Sequence, residues 1–346
     1  MGDVLVDRVL RVEALPPPGG DAPVLAVQER PGGAGLNVAC ALARLRIPCV
    51  VVSRVGEDDA GRRLIEFLAV SGVDPSFVAV GDVTGTVVSV VDGSAQRTMF
   101  SWRGAAAGVP GLTRRLEMTL RAAPFLFLSG YWLREPLQAA FCLDMARIAR
   151  ETAVIVALDP GPSVSAIPRE TLASMVLLTD VLLAGQDELA TLLERLSPTD
   201  RFNGPVRGES LQGCARRALA HVPCVAVKLG ARGAALAADL PGGRAATAGP
   251  VPATAAASRV PPRLLNVLSA VLHDATAGLL WLTRAAEPIE ATDTTGAGDA
   301  FDAGFMAAVA RGLPPQRWLE WGNRAAADLL TRHGRPSGRP TTSAER

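Results

Sequence analysis

Asp293-Thr-Thr-Gly-Ala-Gly-Asp299-Ala-Phe-Asp-Ala-Gly304 is the stretch that decides the reading of this chain. Gly296 and Gly298 permit tight backbone geometry, and Phe301, Phe305 and Val309 then recur at helical spacing until Gly312 and Pro314-Pro315 end the helix. The glycines therefore stand at a helix N-terminus, where free N–H groups and the positive end of the dipole bind anions. An acidic residue in a first helical turn is common. Beside a bound phosphate, however, Asp299 would suffer like-charge repulsion unless it served as a base, taking the proton of an attacking hydroxyl while the amides of Gly296, Ala297 and Gly298 hold the transferring group.

Composition narrows the alternatives. The chain has 346 residues, 35 Lys+Arg against 34 Asp+Glu, and a formal charge of +1, which favours neither nucleic acid nor an anionic membrane as partner. Its only lysine is Lys228, preceded by Val227. A Gly-Lys-Ser/Thr phosphate loop is thereby excluded, and protein-kinase, Schiff-base or pyridoxal chemistry would have to use that one residue. The five cysteines form no C-x-x-C pair and the three histidines lie far apart, so zinc spacing is absent and a reducing compartment is expected. No signal peptide is indicated at the start. Leu264 to Leu282 has the length of a membrane span but contains Asn266, His273 and Asp274. A soluble cytoplasmic protein is the expectation.

Apolar runs of strand length at Val4–Val6, Cys49–Ser53, Phe125–Ser129, Val154–Leu158, Val181–Ala184 and Val222–Lys228 alternate with helical patterns at Leu36–Leu45, Leu137–Arg150, Gln186–Leu196 and Leu211–Ala220. That order predicts a mostly parallel sheet with helices on both faces. Thr84–Asp92 and Gln96–Trp102, joined through Gly93-Ser94, predict a β-hairpin that forms a small lid sheet with part of the segment 8–31. The tail from Pro336 is expected to be disordered at its end.

The twelve residues from Asp293 to Gly304 resemble the second signature of the ribokinase-like (PfkB) carbohydrate kinases. The first signature is similar to Gly32-Gly33-Ala-Gly35-Leu-Asn37-Val-Ala, followed by Val55-Gly56-Glu-Asp58-Asp-Ala-Gly61. A dinucleotide fingerprint at Gly33-x-Gly35 is rejected, because Val38 stands where its third glycine belongs and Gln28-Glu-Arg-Pro31 precedes it. The resemblance spans 1–346 as one three-layer α/β/α kinase domain, with lid strands within 8–31 and 76–104. It implies ATP-dependent, Mg²⁺-assisted phosphorylation of a hydroxymethyl group, with Asp299 as base. The substrate would be a sugar or a nucleoside; the lid segments Thr84–Val88 and Arg97–Ala105 look more like those of sugar kinases. A non-catalytic binding protein on the same scaffold is the rival from another class.

By resemblance, Asp7, Gly32, Gly33 and Asn37 bind the substrate, and Lys228, Gly230, Gly233, Glu188 and Asn323 serve ATP. Asp293, Thr295, Leu329, Arg332, Gly334 and Ser337 match positions that hold K⁺ in the family. Two copies would pair through the lid. The chain departs from the family at several points. Lys228 replaces the usual Thr of the T-L-G-x-x-G loop, and its ammonium is expected to support the phosphates. Gly185 replaces the Asn of N-x-x-E, and Ser129-Gly-Tyr131-Trp132 stands where ribokinase places a substrate-contacting Glu, so Tyr131 and Trp132 either stack on substrate or fill the core. Some forty residues, about 253–290, are inserted before the Asp293 loop, as an extra helix or a cap near the adenine.

Overall fold

The computed structural model describes residues 1–94, 96–196, 209–239, 264, 279–291 and 293–333. The chain begins with β1 (Leu5–Val12) and β2 (Val24–Gly32), then α1 (Ala34–Arg44), β3 (Val50–Val55), α2 (Asp59–Val70) and β4 (Asp74–Val80). The hairpin follows as β5 (Thr84–Val91) and β6 (Arg97–Gly104). These strands form two sheets: a four-stranded lid in the order β2-β1-β5-β6, and a two-stranded parallel pair of β3 and β4.

The remaining elements build the main body. They are α3 (Arg114–Ala122), β7 (Phe125–Ser129), α4 (Pro136–Arg150), β8 (Ile155–Asp159), α5 (Arg169–Leu178), β9 (Val181–Gly185), α6 (Gln186–Leu196), α7 (Leu211–Ala218), β10 (Cys224–Lys228), β11 (Ala234–Asp239) and β12 (Leu279–Arg284). Two helices, α8 (Ala297–Ala310) and α9 (Pro315–His333), end the described chain. The sheet order is β12-β11-β10-β9-β8-β7, parallel from β7 to β10 and antiparallel at β11 and β12.

The continuous apolar runs of β7 to β9 are explained by helices on both faces. Leu126, Leu128, Val156, Leu158, Leu182 and Ala184 point to one core, shared with α4, α5, α6 and α7. The alternate residues Phe127, Ile155, Ala157, Val181 and Leu183 point to the other, shared with α1, α8 and α9. There the Phe305 and Trp318 rings meet edge to face, 5.4 Å between centroids.

Three expectations change. The run beginning at Val4 does not join the main sheet: β1 pairs with β2 and β5 in the lid, Asp7 lying opposite Arg30 and Val87. Its mixed burial, with Arg8 and Arg11 exposed, contrasts with β8, where Ile155 to Leu158 are all buried. The second concerns the apolar stretch ending at Leu282, which closes not as a helix but as β12, paired with β11. Residues 265–278 lie outside the described set, as does the tail from 334. The third is Trp132, which is wholly buried and donates its indole N–H to Asp3 Oδ1 at 2.7 Å, so it is core and not a stacking platform. Among the described residues, no helix is long and apolar enough to cross a membrane, and no group of three or more His, Cys, Asp or Glu residues is placed to hold a metal ion.

Candidate active site

Gly296 caps α8 in the left-handed region, φ 77°, a conformation that costs a residue with a Cβ about 1–2 kcal/mol. This turn aims the first amides of α8 outward and puts Asp299 in the first helical turn. Asn37, on α1, donates its side-chain N–H to Asp299 Oδ2 at 2.8 Å. Sequence resemblance gave Asn37 to the substrate; the structure also makes it the orienting partner of the base. Burial pushes the Asp299 carboxyl up to about 6, although the Asn37 hydrogen bond opposes the rise.

Gly33 is the second position that only glycine fits. Its φ is 98°, and a Cβ there would stand 2.3 Å from the Asp3 carbonyl oxygen. The turn brings α1 against the start of the chain, so Asp7, Asn37, Thr295 and Gly296 share the wall of one cavity of about 200 Å³. Burial raises the Asp7 carboxyl above its ordinary value, with Arg30 pulling it back. Tyr131 belongs to the same surroundings: burial, then the Asp299 charge, push its phenol up to about 12.

Lys228 ends β10 beneath the anion-binding amides; a Cβ on Gly298 would lie 3.6 Å from its Nζ. The ammonium donates to Asp159 at 3.1 Å and to both oxygens of Asp302, at 3.2 and 3.3 Å. Asp302 is fully buried. Burial alone would lower the Lys228 pKa, but Asp159 and Asp302 outweigh it and raise it, so the ammonium stays charged. Neither aspartate was singled out from sequence. The legible signal was the spacing of Asp302 from Asp299, three residues on one helical face, and a lone lysine needing a counter-charge.

Glu188, in the first turn of α6, folds back to accept the Gly185 N–H at 2.6 Å. A Cβ at position 185 would press on that carboxylate at 3.1 Å, so glycine suits this arrangement better than the family's Asn. Burial, then Asp159, raise the Glu188 pKa. Gly230 and Gly233 shape the turn after β10, closed by the Leu229 N–H on the Gly233 carbonyl at 2.8 Å. Asn323 donates to the carbonyls of Arg284 and Ala285, each at 3.2 Å, tying α9 to the end of β12.

The residues matched to a monovalent cation are differently disposed. Both Asp293 oxygens are engaged, one by Arg30 at 2.9 Å, the other by Arg97 at 2.7 Å and by the Thr295 amide and hydroxyl. Burial would raise this carboxyl, but Thr295 and Arg30 prevail and hold it well below the usual range. With two guanidinium charges already on it, the Asp293 carboxylate is not free to ligate a cation in this arrangement. Leu329 packs near Gly296, Arg332 is exposed near the end of α9, and positions 334 and 337 lie outside the described residues. Arg30 and Arg97 come from β2 and β6, so the lid itself supplies the positive charge, which the sequence reading missed.

The profile of the pfkB family of carbohydrate kinases matches residues 1–258 and 279–342, leaving out an interval inside the expected insertion. The chain is 28% identical over 345 residues to an ATP-dependent ribose-1-phosphate kinase of Halopiger xanaduensis, covering 99% of this chain and 94% of that protein. It is 26% identical to Arabidopsis thaliana ribokinase, whose structure complexed with ribose and ATP superposes with a TM-score of 0.69 over 95% of this chain and 91% of that one. Adenosine kinase from Sinorhizobium meliloti, 18% identical, shares the fold with a TM-score of 0.71 over 99% of this chain and 95% of its own. Two signatures that converge on one helix N-terminus, and a profile spanning both ends, lead to one conclusion: the chain belongs to the pfkB family of carbohydrate kinases and is a phosphotransferase acting on sugar hydroxyl groups.

Proposed function

We propose that the chain transfers the terminal phosphoryl group of ATP to a hydroxymethyl group of a small sugar or sugar derivative. The observation that carries this reading is Asp299, held by Asn37 in the first turn of α8 behind the Gly296–Gly298 amides. Asp299 takes the hydroxyl proton, the freed oxygen attacks the γ-phosphorus in line, and ADP leaves with the electron pair of the broken P–O bond. The amides of Gly296, Ala297 and Gly298 stabilise the negative charge on the group in flight. Asp7, Gly32, Gly33 and Asn37 form the sugar side, and Lys228, Gly230, Gly233, Glu188 and Asn323 the nucleotide side. Mg²⁺ would neutralise the nucleotide phosphates; the carboxylates of Glu188 and Asp159 fit a hard cation as donor chemistry.

A panel of free sugars, sugar phosphates and nucleosides, read by ADP release with ATP as donor, tests the reading. The phosphorylated pentose named for the Halopiger relative belongs in it, as do nucleosides, the second reading. Release with none of them would rule out a sugar, sugar phosphate or nucleoside of the panel as acceptor. Exposed Val27, Phe100 and Trp102 on the lid support pairing of two copies there, and five unpaired thiols support a cytoplasmic setting.

The raised Asp299 pKa sets the acid limb of the activity. The base must be ionised, so kcat/KM is expected to fall about tenfold per pH unit below about 6, as one proton binds. A pH profile that stays flat down to pH 5 would remove Asp299 as the titrating group. The occupied Asp293 carboxylate makes a second expectation: turnover equal in potassium and tetramethylammonium buffers. Potassium activation of several-fold would show that Arg30 or Arg97 yields its place.

A further inference from the structure

Two arginines from opposite edges of the lid converge on Asp293. Arg30 stands on β2 and Arg97 on β6, the outer strands of the order β2-β1-β5-β6. In a flat sheet those edges would lie about 14 Å apart, at about 4.8 Å per strand. Their guanidiniums nonetheless meet on one carboxylate: Arg30 Nη1 donates to Asp293 Oδ2 at 2.9 Å and Arg97 Nη2 to Oδ1 at 2.7 Å. The lid thus curls over the Asp293 loop and sets two positive charges one carboxylate's width apart.

A single carboxylate does not balance that pair. The two side chains are only 27% and 29% exposed, so water and salt screen their mutual repulsion in part. The next anion, Asp7, stands 4.0 Å from Arg30 Nε, too far for a hydrogen bond. Each guanidinium carries five N–H donors in a rigid fork and spends one of them on Asp293. The unused sides of two forks match the oxygens of a phosphate or a carboxylate, which guanidinium binds through paired, charge-assisted hydrogen bonds. A sugar hydroxyl needs neither two positive charges nor a fork.

The surroundings say which molecule brings the oxyanion. Arg30 lines the same cavity of about 200 Å³ as Asp7, Asn37, Thr295 and Gly296, and Asn37 holds Asp299. Asp299 and Asn37 reach this space from two helices, Arg30 and Arg97 from the lid. We propose, on the basis of the phosphoryl transfer described above, that the acceptor is a small sugar carrying an oxyanion, a phosphate monoester or a carboxylate, which Arg30 and Arg97 grip while its hydroxymethyl group faces Asp299. Asp293 keeps its hydrogen bonds to both arginines and fixes the spread of the forks. Sugar hydroxyls between the two ends meet Asp7 and Asn37. A neutral sugar or a nucleoside would leave the donors unpaired, the loss by which a polar site rejects an analogue that lacks the matching group.

The test measures kcat/KM by ADP release for matched acceptors: free sugars, the same sugars as monophosphates, the corresponding sugar acids, and nucleosides. The parent protein is expected to prefer one oxyanion-bearing set over the free sugars by about 100-fold or more. Monophosphates against sugar acids tell which oxyanion it is. Arg97→Met and Arg30→Met should each cut that preference about 10–100-fold, chiefly through the KM of the acceptor. Arg97→Lys, which keeps the charge and loses the fork, should restore part of it. Equal use of free and oxyanion-bearing sugars by the parent, or a preference for nucleosides, overturns the proposal and leaves the kinase reading standing. So does an unchanged preference in both Met variants, since a pair that only latches the lid would slow every acceptor alike. ADP release with none of these acceptors rules out all of them, and the proposal with them.

Discussion

Asp299→Asn is expected to lower kcat by about 10²–10⁴-fold, the usual effect of losing a general base, while the KM for ATP stays within about twofold. Asn has nearly the shape of Asp and can still meet the Asn37 amide, so the helix start and its anion-binding amides should persist. Only the proton acceptor is lost. Steady-state kinetics at saturating ATP reads the first quantity, and nucleotide titration of the variant reads the second. Turnover near the parent level would transfer the base role elsewhere. A matching fall in nucleotide affinity would mean the substitution had damaged the anion site instead.

Lys228→Met carries the second large effect, on stability as well as rate. The substitution leaves Asp302, fully buried, and Asp159, mostly buried, without their ammonium. Breaking a buried ion pair from one side typically costs about 3–5 kcal/mol. Urea unfolding should show a loss of this size, and the double variant Lys228→Met with Asp302→Asn should recover a large part of it by removing the stranded charge. The pair also separates two roles. If Lys228 serves only as a counter-ion, the double variant regains stability and the parent KM for ATP. If its ammonium also supports the phosphates, stability returns while the KM stays raised. No loss in the single variant would mean that Asp302 is protonated and the cage weakly bound.

Much of the fold was legible because periodicity speaks for elements buried on both faces. The run from Phe125 to Ser129 and the helical pattern from Gln186 to Leu196 were placed to the residue. Where burial is one-sided, the signal weakened: the apolar start of β1 reads like a core strand, yet its partners lie in the lid. The family signatures led to Asp299 and the glycines, since their spacing is local. The cage around Lys228 and the clasp on Asp293 were not legible, because Asp159, Asp302, Arg30 and Arg97 meet only through the fold. Position 302 follows 228 by more than seventy residues, and nothing local marks them as partners.

The only lysine in the sequence is Lys228, and its Nζ lies inside a carboxylate cage. Lysine-directed chemistry on the folded protein therefore finds almost nothing to react with. Acylating dyes, lysine crosslinkers and aldehyde coupling to a solid support would modify it chiefly after it opens. Labelling of Lys228 becomes a gauge of how often the phosphate-transfer centre comes apart, with no surface lysine to obscure the reading.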